Sequence, residues 1–446
     1  MADRTRLLHG WGRTAPSAAE LLPVRTAQDI AQIVRSGPAR GLLARGLGRS
    51  YGDAAQNAGG VVLDMRGCAL IGPIDAAAGI VTGGGGASLE SLLRLAVPQG
   101  WFIPVSPGTR QVTLGGAVAA DVHGKNHHRD GSVASHVIAL SIVDGRGTLR
   151  TLGPDDELFW GVVGGMGLTG VVVEVTLQLR AISSAWVLVD TYRTANLDET
   201  MSRLVETDAR RRYSVAWLDC LARGRSLGRG VVTAGDHASA EETPAAASRD
   251  PLRFAPRTRL RAPLLPPAVL NAASVRAFNA VYHRGAPRER TDDLVSITSF
   301  FHPLDVIHDW NRLYGPGGFV QYQFVTPEPT VVAAAIERLA EVHAPGFLAV
   351  LKRFGPGNRG LLSFPAPGWT LALDIPARIE GLARLLDDLD ERVAASGGRV
   401  YLAKDSRLRP DLVDTMYPGA ARWRQIRAGT DPDSVFRSDL ARRLDL

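Results

Sequence analysis

From residue 20 to about residue 185, short apolar runs alternate with glycine-rich turns. "GGVVLDM", "AGIVTGGG", "HVIALSIVDGRG" and "GVVVEVTLQL" are brief, β-branched and bounded by turn residues, which predicts strands. Between them, residues 87–100 place Leu89, Leu92, Leu93 and Leu95 on one side of a helix that stops at Pro98. "TAQDIAQIVRSG" predicts a second short helix capped by Thr26. From about residue 186 the texture changes. "AWVLVDTYRT", "RYSVAWLDCLARG", "LVSITSFF", "GFVQYQFV", "GFLAVLKRFG" and "WTLALDI" predict strands, and "PTVVAAAIERLAEVHA" and "IEGLARLLDDLDERVAASGG" predict helices. That order points to an antiparallel sheet with helices on one face, hence an α+β chain. The polar stretch 224–267 predicts a mobile surface loop.

Length and composition fit this picture. The 446 residues suffice for two or three domains, and 45% apolar with 22% charged residues is ordinary for a soluble globular protein. Cys68 and Cys220 form no CxxC pair, so neither a disulfide framework nor a zinc site is expected. The N-terminal stretch lacks the apolar core of a secretory signal, and no run of apolar residues is long enough to span a bilayer. The net charge of +6 favours anionic partners. The kind of base is more telling. Of 51 basic residues only Lys125, Lys352 and Lys404 are lysine, which leaves 48 arginines. An ammonium can shift its pKa where a guanidinium cannot, and all three lysines lie in dense motif blocks.

Three blocks carry candidate chemistry. "ARGLGRSYGDAAQN" (44–57) has glycines at 46, 48 and 52 that let backbone amides approach an anion, and no GK[ST] follows, so it is not a P-loop. It reads as a pyrophosphate cradle or as a plain turn. "PVSPGTRQVTLGGAVAADVHGKNHH" (104–128) passes through small residues suited to a planar ring against backbone. "FWGVVGGMGLTGVVVEVTL" (159–177) sets four glycines before a strand.

Three such stretches in this order, with a basic C-terminal tail, resemble the FAD-binding proteins of the vanillyl-alcohol-oxidase (p-cresol methylhydroxylase) type. "FVQYQF", "LKRFG" and "YLAKDSR" extend the resemblance to the branch of flavin oxidases acting on polyprenyl-phospho-ribose. The resemblance implies a two-domain FAD-linked oxidase. Residues 1–186 would hold FAD on mixed sheets, 187–398 would bind substrate on an antiparallel sheet with flanking helices, and 399–446 would return to the FAD domain. It also implies oxidation of the sugar's 2′-hydroxyl to a ketone, the first half of epimerisation to the arabinose donor of cell-wall arabinan. An NADH-dependent reductase, a quinone or other membrane acceptor, and peripheral attachment to the bacterial cell envelope would accompany it, with no role for nucleic acid.

Residue by residue, the resemblance assigns the first FAD loop to Ala44, Arg45, Gly46, Leu47, Gly48, Arg49, Ser50, Tyr51, Gly52, Asp53 and Ala54. The second takes Gly108, Thr113, Leu114, Gly115 and Gly116, followed by Ala120, Asp121, Val122 and His123. Val175 and Tyr401 are further FAD contacts. Lys404, His123 and Tyr51 are the catalytic candidates, with the base left open among them. Gln321, Gln323, Lys352, Trp217 and Lys404 would line the substrate pocket; strand alternation puts the two glutamines on one face. Many relatives tether FAD through a histidine in the first loop. Ser50-Tyr51 stands there, so FAD is expected to be non-covalent. In the best-known members a cysteine trapped by nitroaromatic inhibitors lies three residues after "GW"; here that place is Ala372.

The alternatives are a polyol or sugar-lactone oxidase of the same superfamily acting on a soluble substrate, and a flavin-binding scaffold. The arginine count alone suggests nucleic acid, but aromatics do not interleave with the basic clusters. "DVHGKNHH" (121–128) first suggests metal, yet Gly124 interrupts any helical ligand frame. It reads instead as a turn carrying His123 to the flavin face, with Lys125, Asn126, His127 and His128 holding it by hydrogen bonds.

Overall fold

The computed structural model describes residues 4–244, 249–256, 260–266, 269–342, 346 and 348–446. The glycine-punctuated N-terminal half forms two four-stranded sheets. One runs Thr5–Leu8, Ser17–Pro23, Val61–Asp64, Leu42–Arg45, and its last three strands are parallel. The other runs Ile80–Gly84, Val171–Gln178, Val137–Val143, Leu149–Leu152 and is antiparallel. The helix Ala27–Arg35 starts at Thr26, whose hydroxyl accepts from Asp29 N while Asp29 bonds back, a complete capping box. Leu89–Ala96 is the second expected helix, buried through Leu89, Leu92, Leu93 and Ala96.

The second half is built on one eight-stranded antiparallel sheet. Its order is Glu289–Ser296, Trp186–Thr194, Gly230–His237, Tyr213–Leu218, Ala349–Phe354, Gly368–Pro376, Phe319–Thr326, Arg399–Val400. Register sorts the residues into two faces. Phe324, Leu371, Leu351, Ala216 and Val232 lie in one cross-strand row. Helices cover that face. Pro329–Glu341 buries Val332, Ala335, Ile336, Leu339 and Ala340, and Leu382–Ala395 buries Leu382, Leu385, Leu386, Leu389 and Val393. These are the i, i+3, i+4 positions of an amphipathic helix. Apart from Ala340, these side chains join one core, and truncating a fully buried member such as Leu386 to Ala would cost about 2–5 kcal/mol. The next row, on the opposite face, reads Gln323, Ala372, Val350, Trp217.

Two expectations need correction. The stretch 224–267 is not one loop: Gly230–His237 is an interior strand, hydrogen-bonded on both sides. Its Gly-Val-Val-Thr-Ala core has strand chemistry, which the polar residues after it masked. Residues 245–248, 257–259 and 267 of that stretch lie outside the described residues. "LVSITSFF" is strand only to Ser296, whose hydroxyl accepts from Ser299 N and starts the short helix Ile297–Phe301.

The C-terminal segment crosses back. Arg399–Val400 still pairs in the large sheet. Beyond it, Phe436 bridges Leu42, Trp423 Nε1 donates to Gly161 O at 2.9 Å, and Arg443 pairs with Asp53 at 2.9 Å. No helix among the described residues is long and apolar enough to cross a membrane.

Candidate active site

Alternation along Phe319–Thr326 turns Gln321 and Gln323 away from the helix-covered core. Directly opposite them stand Asp374 and Ala372, and one strand further Thr370 faces Lys352. The sheet therefore presents one polar face. Gln323 O also holds Tyr401 N at 2.9 Å, and Tyr401 O holds Lys404 N at 2.9 Å, so a tight turn delivers Lys404 over this face. There its ammonium hydrogen-bonds Gln321 Oε1, and Gln321 Nε2 donates to Asp374. Asp374 is 1% exposed and also lies 3.4 Å from the Tyr314 hydroxyl.

The first glycine loop meets this turn through Gly52. A Cβ there would lie 1.8 Å from Asp405 O, so only glycine allows the approach. Next to it, Tyr51 N donates to Ala403 O at 3.0 Å, and the Tyr51 ring sits 4.0 Å beneath the Lys404 ammonium. Phe319 supports that ring edge-on at 5.6 Å.

His123 enters from the other side. Gln323 Nε2 lies 3.0 Å from its Nε2 and 3.1 Å from Thr370 Oγ1. With the Gln323 amide oriented this way, His123 Nε2 is the acceptor and Nδ1 carries the proton. That Nδ1 is buried and has no protein partner. Burial, followed by the charge of Lys352, holds His123 well below its ordinary pKa, so it is neutral throughout the working range. Phe354, Phe364 and Tyr401 enclose the ring at 4.8, 5.5 and 5.3 Å.

Electrostatics follow from burial. Desolvation lowers Lys404, opposed by Asp374 and aided by Lys352, while desolvation raises Asp374 against its hydrogen bond from Gln321 and the charge of Lys404. Lys352, standing 5.9 Å over Phe354, is pushed down to about 8 by burial. Desolvation and the Asp374 charge drive Tyr51 well above 10, which makes it a poor base.

The glycine blocks fit FAD. A Cβ on Gly46 would lie 2.2 Å from Thr113 Oγ1, so the first loop and the Thr113-capped turn of Leu114, Gly115 and Gly116 touch with no side chain between. A cleft of about 220 Å³ opens beside them, lined by Arg45, Gly46, Leu47 and Leu21. The buried Nε of Arg49 and Nδ1 of His123 lack protein partners. Not every residue of the first loop is available to a ligand. Arg45 donates to Ala55 O (2.7 Å) and His9 O (2.8 Å), and Asp53 is held by Arg443, so both shape the loop. Ser50 O accepts from Trp11 N, and Ala54 is buried. Gly108 lies in open space before the second loop. Asp121 takes bonds from Asn358 (2.7 Å) and Ser363 and thereby anchors the Ala120–Val122 stretch. Val175 is buried opposite Gly83, and Tyr401 donates to Ala120 O at 2.7 Å.

The remaining histidines of "DVHGKNHH" find separate partners. His127 lies 4.4 Å from the Phe354 ring, and His128 sits 3.5 Å from Asp208. Asn126 does hold the turn, through Pro104 O at 2.8 Å and Asp130 at 2.6 Å. Lys125 donates to Phe300 O beneath its ring and is not part of the site. Trp217 stands at the edge of the polar face, 4.7 Å from Tyr282. The residues missed in the sequence are Asp374 and Thr370. The signal was present, because "TLALD" places both in the same alternation as Ala372.

Glycine loops packed closely against one another, beside a buried polar sheet face that carries two lysines lowered by burial, suit a FAD-dependent oxidoreductase. The family model described as "FAD binding domain" matches residues 19–153. The decaprenylphosphoryl-β-D-ribose oxidase of Mycolicibacterium smegmatis is 41% identical over 99% of this chain and 98% of its own length. An uncharacterised Streptomyces coelicolor protein is 44% identical over 80% of this chain and its full length. The chain belongs to the decaprenylphosphoryl-β-D-ribose oxidase family. An alditol oxidase from Streptomyces is 28% identical over only 38% of the chain.

Proposed function

We propose that this protein oxidises the 2′-hydroxyl of decaprenylphosphoryl-β-D-ribose to the 2′-keto sugar. The observation that carries the reading is the end-to-end identity with the M. smegmatis oxidase, which includes both halves of the candidate site. The soluble-polyol reading is not favoured, because the alditol oxidase is similar over only 38% of the chain.

Non-covalent FAD supplies the acceptor for the hydride that leaves C2′. Lys404 Nζ, made partly neutral by desolvation, takes the hydroxyl proton, and Gln321 aims it. Neutral His123 presents its Nδ1 proton as a hydrogen-bond donor and positions rather than deprotonates. Gln323 keeps that tautomer in place. Lys352 binds sugar or phosphate oxygens, Tyr51 walls the pocket beneath Lys404, and Trp217 forms its outer edge. In this reading residues 1–186 hold FAD, 187–398 hold substrate and 399–446 close back over the cofactor domain. An NADH-dependent reductase completes the epimerisation, a quinone or similar membrane acceptor reoxidises the flavin, and the protein works peripherally at the cell envelope.

Anaerobic mixing tests this. Polyprenyl-phospho-ribose should bleach the flavin band near about 450 nm while free polyols leave it unchanged. Bleaching by polyols alone would overturn the substrate assignment.

A further inference from the structure

The helix Ala272–Gly285 has its apolar side facing the wrong way for a soluble protein. Asn271 caps it, accepting from Ala273 N and Ser274 N at 2.8 and 3.0 Å. Val275 and Asn279 are its buried positions, and Asn279 donates to Asp219 at 2.8 Å. Its outward side carries Phe278, Val281 and Tyr282, 51%, 74% and 47% exposed. These are spaced i, i+3, i+4 and so form one ridge. Leu260, Leu264 and Val269, just upstream, are exposed as well.

Charge says what such a surface meets. Residues 251–288 contain seven arginines and neither aspartate nor glutamate. Apolar side chains on a helix that carries no acid, flanked by the exposed Arg276, Arg284 and Arg288, match the headgroup region of an anionic bilayer. A second copy of the chain fits poorly, because a two-fold interface would set this cationic stretch against itself.

The surface also leads to the site. Tyr282 contacts Trp217 edge-on at 4.7 Å, and Trp217 lies in the row that continues through Val350 and Ala372 to Gln323. Beside the helix start, a cavity of about 170 Å³ is lined by Pro266, Leu270, Leu313, Tyr314 and Ile379, with Arg378 at its wall. Tyr314 is the residue whose hydroxyl meets Asp374 behind Gln321 and Lys404.

We infer that the helix Ala272–Gly285 docks on an anionic lipid surface through Phe278, Val281 and Tyr282, flanked by the exposed Arg276, Arg284 and Arg288. This deepens the proposed reading, on which it rests for its purpose: a lipid-linked sugar would pass from bilayer to site along this side. The docking itself is a property of the surface and is tested apart from turnover.

The flavin-loaded protein is sedimented with vesicles of phosphatidylcholine containing about 30% phosphatidylglycerol, and with phosphatidylcholine alone, at about 100 mM salt. Binding is expected to the anionic vesicles only. Phe278→Asp with Val281→Asp should reduce it at least tenfold while the flavin spectrum is kept. Arg284→Glu with Arg288→Glu alters charge alone and should weaken binding by about fivefold or more per arginine. No binding by the parent protein, or unchanged binding by both variants, overturns the inference. So does a concentration-dependent dimer, abolished by the aspartates, without vesicle binding. Bleaching by a short-chain, water-soluble prenyl-phospho-ribose is measured in parallel. Its failure beside intact vesicle binding would sink the substrate assignment and leave the docking surface standing.

Discussion

Asp374→Asn tests whether the buried carboxylate sets the proton affinity of Lys404. Asparagine can still accept from Gln321 Nε2, so the geometry of the Asp374–Gln321–Lys404 chain survives and only the charge is removed. One amide and two hydrogen bonds separate the charges, roughly 6–7 Å. At an effective dielectric near 20 that is about 2.5 kcal/mol, or about 1.8 pH units. The direction follows from the site: Asp374 raises Lys404 against desolvation and Lys352, so its loss lowers Lys404 further. With only three lysines in the chain, protein labelled at lysine Cε with carbon-13 gives three side-chain resonances to follow against pH. Lys404→Arg identifies the one that matters. In Asp374→Asn its midpoint should fall, by at most about 1.8 units, since Asp374 is itself raised to about 7 by burial and is only partly ionised where Lys404 titrates. The acidic limb of anaerobic flavin bleaching should fall with it, and the plateau rate should drop because a weaker base remains. A Lys404 midpoint that moves by less than about half a unit, or moves upward, refutes the electrostatic reasoning.

Acid precipitation should release the flavin into the supernatant, since no histidine occurs within Ala44–Ala54; yellow colour retained in the pellet would contradict non-covalent binding. The parent protein should form no stable adduct with nitroaromatic inhibitors, whereas Ala372→Cys, opposite Gln323 on the polar face, should form one visible by mass spectrometry. Lys125 is lowered to about 7 by burial and by Lys352, so between that pH and its unfolded value near 10.5 the folded state binds fewer protons than the unfolded chain. Folding stability should therefore rise with pH across that window, by up to about 1.4 kcal/mol per unit from this group. Lys125→Met should remove that share in urea titrations, and parallel curves for the two proteins from pH 7 to 9 would refute it.

What could be read from the sequence and what could not divides along one physical line. Period and composition are local, so strands such as "GFVQYQFV" and the capped helix after Thr26 were legible, as was the shared face of Gln321 and Gln323. Register is not local. Nothing in "WTLALDI" says that Asp374 lies opposite Gln321 rather than Gln323, and that single pairing turns a strand polarity into a tether for Lys404. The lysines make the same point. Their rarity against 48 arginines marked all three, but only long-range packing separates them. Lys404 reaches the site because Gly52 lets a loop 350 residues upstream close against its turn. Lys125, two residues from His123 in the chain, is instead drawn to the carbonyl and ring of Phe300. His123 changed most. As a member of a histidine cluster it invited a metal or a base, yet the group facing its Nε2 is a side-chain amide oriented to donate. The hydrogen-bond partner of its Nε2 is Gln323, two hundred residues away, and not one of the histidines beside it.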